Sequence, residues 1–241
     1  MNSSSGRWGD VKSELCGTTG GRPIGLPHRV VPSIEYAEVT GGALTAQVWH
    51  GPLRRRRTSH GCSPLPWILA ECIGCAESEL LVSRHACRAC GSAEHGRPVL
   101  VASPAHPHGA QISISYARDT DRYVLALSTA DIGVDTADAL TPDICARLRR
   151  TLTEPDRLFV DAAPAAVQPD LVLKAWVARE AYLKAKGVGL TSGWRQLSVL
   201  APRASGRKKV SEMWMVHDIS FDFQPDSSCT VIALREAYSQ G

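Results

Sequence analysis

The sequence predicts an α+β fold. Strand patterns and helix patterns are both present, they do not alternate strictly, and hairpins predominate toward the C-terminal end. The stretch EYAEVTGGALTAQVWH reads as two short strands around Gly41-Gly42, a hairpin signal. QISISYA and RYVLALS alternate as strands do, whereas WVAREAYLKAK carries helical spacing.

The elements follow in chain order. Residues 1–28 are rich in Gly, Ser and Thr without hydrophobic periodicity and read as a mobile tail, with order beginning near Val30. After the hairpin comes GPLRRRRTSHGC, a cationic turn carrying Arg54–Arg57. A helix is expected from Pro66, with Ile68, Leu69, Cys72 and Ile73 on one stripe. A loop holding CRACGSAEHGRP precedes the strands QISISYA, RYVLALS and DIGVD, the last ending on Asp135. Residues 141–175 read as helical with interruptions at Pro155, Pro164 and Pro169. The next helix is expected to start near Asp170, as an N-cap, and to stop at Gly187. Three strands, WRQLSVL, MWMVHDISFDF and CTVIALRE, are expected to close the chain, the first two joined by the basic loop Arg203–Lys209.

A chain of 241 residues is long enough for one large domain or two half-sized lobes, and 44% hydrophobic with 21% charged residues is an ordinary globular composition. The formal charge of +3 is too mild to argue for nucleic acid as a partner. No apolar run reaches the about 18–20 residues that span a bilayer. The N-terminal stretch has no apolar signal core, so a cytoplasmic protein with reduced thiols is expected despite its eight cysteines.

Two cysteine pairs have metal-ligand spacing, Cys72/Cys75 and Cys87/Cys90. The first falls in the expected amphipathic helix, where cysteine behaves as a small hydrophobe. The second lies in a loop with His85 and His95 nearby and is the better zinc candidate. No His–acid partner is placed to activate any of these thiols.

Glu180 and Lys184 are i,i+4 on the long helix and share a face. Such a pair reads either as a solvated surface ion pair or as half of an active site. Ala178, Ala181 and Ala185 keep the neighbouring surface small, as if leaving room for a ligand, and Gly187 and Gly189 permit close backbone approach beyond the helix. An aspartate ending a strand, Asp135, and a glutamate from a facing helix make a suitable oxygen set for Mg²⁺, with lysine neutralising a phosphate.

These residues resemble the 4′-phosphopantetheinyl transferase superfamily, of the type that activates peptide and polyketide synthase carrier domains. CGSAEHGRP is similar to the family's Gly-Lys-Pro segment and IGVDTAD to its Gly-Ile/Val-Asp-x-Glu segment. WVAREAYLKAKGVGL is similar to its Trp-x-x-Lys-Glu-Ala-x-x-Lys-x-x-Gly-x-Gly signature, and QISISYA falls where the family has a Ser-His-Ser strand. The likeness covers about residues 60–200. It implies two similar α+β lobes related by a pseudo-twofold: an N-terminal lobe at 29–130 and a C-terminal lobe at 131–241 carrying the acids and the signature helix.

The resemblance implies transfer of the phosphopantetheine arm of coenzyme A to a serine of an acyl or peptidyl carrier protein, releasing 3′,5′-ADP. Such a holo-carrier-protein synthase would serve polyketide, nonribosomal peptide or fatty acid synthesis. Carried over by position, Asp135 and Glu180 bind Mg²⁺ (or Mn²⁺), and Glu180 also helps take the serine proton. Lys184 holds the pyrophosphate oxygens, Gly96, Arg97 and Pro98 lie against the nucleotide, and Ser115 and Tyr116 stand where the family has Ser-His. Trp176 reads as a core anchor. The second acid of the Asp-x-Glu segment is Ala137 here, with Asp138 adjacent but on the opposite face of a strand. Arg97 and Arg179 replace family lysines, and the Arg54–Arg57 run reads either as a 3′-phosphate contact or as a solvated turn.

A monomeric, cytoplasmic, Mg²⁺-dependent transferase without nucleic-acid or membrane partners is therefore the leading expectation. One alternative is a degenerate relative that binds coenzyme A or carrier protein without transfer, supported by Ala137 and Tyr116. Another is a zinc-stabilised regulatory or nucleic-acid-binding module built on the cysteine pairs and the arginine tract.

Overall fold

The computed structural model describes residues 34–41, 44–53, 63–92, 94–117, 121–190, 194–200, 214–219 and 229–235. The expected tail, the Arg54–Arg57 run and the Arg203–Lys209 loop lie outside the described residues. Helices and strands are mixed throughout, consistent with the α+β expectation.

The strands are β1 (Glu35–Gly41), β2 (Leu44–Pro52), β3 (Leu81–Arg84), β4 (Pro98–Ala102), β5 (Ala110–Ala117), β6 (Arg122–Ser128), β7 (Asp131–Ala137), β8 (Trp214–Ile219) and β9 (Cys229–Arg235). Six form an antiparallel sheet in the order β1-β2-β6-β5-β4-β3, and three form a second in the order β7-β9-β8. The helices are α1 (Leu65–Ile73), α2 (Pro142–Arg149), α3 (Glu154–Asp161) and α4 (Gln168–Lys186).

Side-chain alternation stacks these elements. Tyr123, Leu125 and Leu127 of β6 join Ile68, Leu69 and Ile73 of α1 in one core. Val124 and Ala126, from the opposite face of the same strand, join Ile132 and Val134 of β7 and Ile232 of β9 in another. The far face of β9 contributes Val231 and Ala233 to a third core with Leu173, Val177, Ala178, Ala181 and Ala185 of α4. The order is thus α1, first sheet, second sheet, α4. A sheet covered on both faces explains why β6 is buried at every position after Arg122. Leu152, Val160, Val172, Ala175 and Leu200 then pack the outer side of α4.

Several local expectations are corrected. Helix α1 ends at Ile73 on a left-handed Gly74, so Cys75 lies outside it. Pro155 and Pro169 occupy the first turns of α3 and α4 rather than interrupting helices, which suits a residue with no N–H to donate. Helix α4 begins at Gln168 without a side-chain cap, and Asp170 sits inside its first turn; the stop at Gly187 is as expected. WRQLSVL is not a strand: it forms a 3₁₀ turn at Trp194–Gln196 and then runs irregularly. The cause is Asp156. Its carboxylate accepts the amides of Val199 and Leu200, and the Leu197 carbonyl accepts from Arg179, so ladder groups are consumed locally. Strands β3 and β4, short and mostly outside the core, carry too little alternation to be read beforehand.

Candidate active site

Asp135 reaches its position because β7 lies at the edge of the second sheet and α4 packs unusually close to it. A Cβ on Gly133 would stand 1.9 Å from the Ala181 carbonyl oxygen and 2.5 Å from the Ala185 nitrogen, so only glycine fits. Ala178, Ala181 and Ala185 are buried in that contact. This corrects the expectation that they leave room for a ligand: they bring the helix down onto the strand. The edge of β7 that is not paired with β9 finds polar partners on β5, where Ser113 Oγ accepts from Val134 N at 2.8 Å.

Around Asp135 a polar cluster closes. Ser115 Oγ donates to Asp135 Oδ1 at 2.7 Å, and Lys184 Nζ donates to the same oxygen at 2.7 Å. Lys184 also donates to the carbonyls of Ile114 and Val134, each at 3.2 Å. All three donors of the ammonium group are therefore engaged by protein oxygens. Glu180 and Lys184 are not an ion pair; the lysine pairs with Asp135 instead.

Glu180, half-buried one turn earlier, makes no hydrogen bond or ion pair with any described residue. Burial pushes its carboxyl above the ordinary range, the Asp135 charge pushes it further, and Lys184 only partly offsets both. Two hard carboxylates with this mutual repulsion suit a divalent cation, which would offset the repulsion and give Glu180 a partner. Ala137 points to the same side of β7 as Asp135 and packs into the α4 core, so no third acid joins them.

Next to this cluster opens a cleft of about 480 Å³, lined among others by Gly96, Arg97, Pro98, Ile114, Lys184 and Gly187. Gly96 is required here: a Cβ would stand 1.5 Å from the His85 carbonyl oxygen. Arg97 acts as a strut rather than a free cation. Its guanidinium donates to Ala185 O at 2.8 Å and to Asp131 Oδ1 at 2.7 Å, and its buried Nε lacks a partner among the described residues. Arg88 grips the same aspartate at 3.0 Å. Burial pushes the Asp131 carboxyl up, but hydrogen bonds from Arg88 and Arg97 and their charges outweigh it, and the net shift is downward. Tyr116 lies on the opposite face of β5 from Ser115, packed against the α1 core with Ile112 and Ile114. Burial pushes its hydroxyl up to about 12, leaving a neutral donor at physiological pH.

The other singled-out residues separate clearly. Arg179 is 1% exposed and bonds to Asp156 Oδ2 at 3.0 Å, on the side of α4 away from Lys184. Half-buried Trp176 meets Trp194 edge-on at 5.8 Å, in keeping with an anchor role. Cys72 is buried beside the Tyr123 hydroxyl at 3.4 Å, its thiol pushed up to about 12, chiefly by burial. It does not approach the second pair, so the two pairs form no common site. Cys87, Cys90 and His95 do come together, with ligand atoms all within 4.8 Å of one another, while His85 stays outside the group. Sequence reading missed Asp131, Arg88, Ser113 and Asp156, whose partners are all distant in the chain.

Residues 131–238 match the family model of the 4′-phosphopantetheinyl transferase superfamily, a span that contains β7, α4, Asp135, Glu180 and Lys184. That match supports phosphopantetheinyl transfer as the general chemistry, one for which the family generally uses coenzyme A and a divalent metal. A search of curated proteins finds no match. Among the described residues no helix is long and apolar enough to cross a membrane.

Proposed function

We propose that this chain, whose residues 131–238 carry the phosphopantetheinyl transferase domain, moves the 4′-phosphopantetheine arm of coenzyme A onto a carrier-protein serine, releasing 3′,5′-ADP. The observation that carries the reading is the half-buried Glu180 carboxylate, without a partner among the described residues and close enough to Asp135 to feel its charge. Asp135 and Glu180 are the residues that would hold Mg²⁺. When bound, the ion supplies positive charge to the diphosphate of coenzyme A.

The remaining chemistry belongs to the protein. Attack by the serine oxygen on the β-phosphorus needs a proton acceptor, and Glu180, directly or through a water, takes that role. Lys184 sits where it can exchange one of its two carbonyl contacts for a phosphate oxygen, stabilising the leaving ADP half. Ser115 holds Asp135 by donating to Oδ1. The wall formed by Gly96, Arg97 and Pro98 shapes the nucleotide side of the cleft, whereas Tyr116, packed against the α1 core, does not line it.

The reading extends to a cytoplasmic, monomeric enzyme of two α+β halves, 29–130 and 131–241, related by a pseudo-twofold. It also extends to the carrier domains of polyketide, nonribosomal peptide or fatty acid synthesis as acceptors. The strand sets are compatible with that boundary, since β1–β6 and β7–β9 form separate sheets.

The test is incubation with coenzyme A, Mg²⁺ and an apo carrier domain, read by intact-protein mass spectrometry. A phosphopantetheine increment on the carrier that disappears with Glu180→Ala is the expected result. Coenzyme A binding without any increment, over a panel of carriers, would favour a relative that binds but no longer transfers, the reading to which Ala137 points.

A further inference from the structure

The loop between β3 and β4 forms the nucleotide side of the cleft yet has almost no core of its own. Among the described residues of 85–97 only Cys87 and Gly96 are buried. Its shape comes from polar contacts: Cys87 N donates to Ser92 O at 2.8 Å, Gly91 N to Cys87 O at 2.7 Å, and His85 N to Arg97 O at 2.9 Å. The turn after Cys90 passes through Gly91 at a φ of 77°. In this C-x2-C turn the Cys87 backbone is pinned at both its N–H and its carbonyl while the chain reverses to present Cys90.

Opposite that turn, His95 Nε2 lies 3.3 Å from Cys90 Sγ, and both lie with Cys87 Sγ inside a 4.8 Å sphere of mutual separation. Tetrahedral zinc, with bonds of about 2.3 Å to sulfur and 2.0–2.1 Å to nitrogen, places its ligand atoms roughly 3.5–3.8 Å apart. One spacing of this triad, at 3.3 Å, is slightly shorter than that and the others lie within 4.8 Å, so small side-chain adjustments bring it to the spacing of a metal site. Two thiolates and one imidazole form a borderline-soft set that selects zinc over the hard cation expected at Asp135 and Glu180.

We propose that Cys87, Cys90 and His95 bind one structural Zn²⁺, with a water as the fourth ligand on the exposed side. The ion staples the loop to itself and so fixes Gly96 and Arg97 at the cleft. The anchored turn reaches the far side as well, because Arg88 N donates to Gly187 O at 3.2 Å and Arg88 grips Asp131. Zinc binding here is separate from phosphopantetheinyl transfer and stands or falls without it.

The test uses the tag-free, full-length protein kept in a phosphine reductant and measures zinc by mass spectrometry of the metal. About one zinc per chain is expected, with at least a tenfold loss of zinc affinity in Cys90→Ser and His95→Gln by chelator competition. Both residues are exposed, and far-ultraviolet circular dichroism checks that each variant remains folded. Cobalt substitution should give sulfur-to-metal charge-transfer bands that weaken in Cys90→Ser, while Cys75→Ser keeps wild-type zinc and spectrum. Protein that takes up no stoichiometric zinc on reconstitution overturns the proposal. So does zinc held at wild-type affinity by folded Cys90→Ser and His95→Gln, or lost in Cys75→Ser.

Discussion

Lys184 Nζ stands 2.7 Å from Asp135 Oδ1, while Glu180, one helical turn earlier, is left without a partner among the described residues. A lysine between two acids would be expected to bridge them. Here it commits to the strand acid and to two carbonyls, and the helix acid bears the cost of burial and of a like charge alone. That asymmetry is unfavourable for the metal-free fold and useful for a site that takes up a cation.

Replacing Glu180 by glutamine should therefore separate stability from function. A raised carboxyl pKa means the protonated form is favoured in the fold. Stability is lost as pH rises from the ordinary glutamate value through the raised one. In the presence of chelator, Glu180→Gln should unfold at a higher temperature than the parent at neutral pH, and the difference should vanish in mild acid. Transfer activity should fall roughly 10²–10³-fold. A variant less stable than the parent at neutral pH would show that Glu180 has a stabilising partner instead.

The Asp156–Arg179 pair makes the opposite prediction. Its side chains are 0% and 1% exposed, and Asp156 also holds Ser198, Val199 and Leu200. Asp156→Asn leaves a buried guanidinium uncompensated and should cost ~3–5 kcal/mol. Thermal unfolding should fall by roughly 10 °C for a chain of this size. A double-mutant cycle with Arg179→Leu should recover part of the loss, since the second change removes the stranded charge. Strictly additive losses would mean the pair is not coupled.

Periodicity and local motifs made much of this legible. The stripe of α1, the β1–β2 hairpin, the strands β5 and β6 and the Gly187 stop of α4 are written in neighbouring residues. The i,i+4 spacing of Glu180 and Lys184 on one helix is a local feature, but Asp135, expected at a strand end, lies inside β7, which continues to Ala137, and the pairing of Lys184 with Asp135 is a contact across 49 positions. What escaped is long-range. Nothing near Asp131 announces that Arg88 and Arg97 converge on it, and nothing in WRQLSVL shows that Asp156 takes its amides. The alanines of α4 were misread for a related reason: small residues look alike whether they leave space or abolish it, and only Gly133 on the opposing strand distinguishes the cases.

Gly133→Ala tests that contact. The added methyl meets the Ala181 carbonyl, a backbone atom that cannot rotate away, so α4 must lift from β7. A stability loss of ~1–3 kcal/mol is typical of overpacking. Because the lift separates Asp135 from Glu180 and Lys184, activity should fall by roughly 10²-fold at temperatures where the variant is still folded. Full activity in the folded variant would show that the helix–strand distance does not set the site.

Ala137 offers the complementary gain. It faces α4 on the same side of β7 as Asp135, two residues along, where a carboxylate would add an anionic oxygen to the pair. Ala137→Glu should tighten Mg²⁺ binding by roughly tenfold, measured by calorimetry and by the metal dependence of transfer. The position is half-buried against Leu140 and Leu173, so Ala137→Asp, with a shorter side chain, is the companion variant where packing suffers. Glu180→Gln in the Ala137→Glu background should weaken metal binding less than in the parent, because a second oxygen remains. Metal affinity unchanged in both Ala137 variants would place the cation elsewhere than between Asp135 and Glu180.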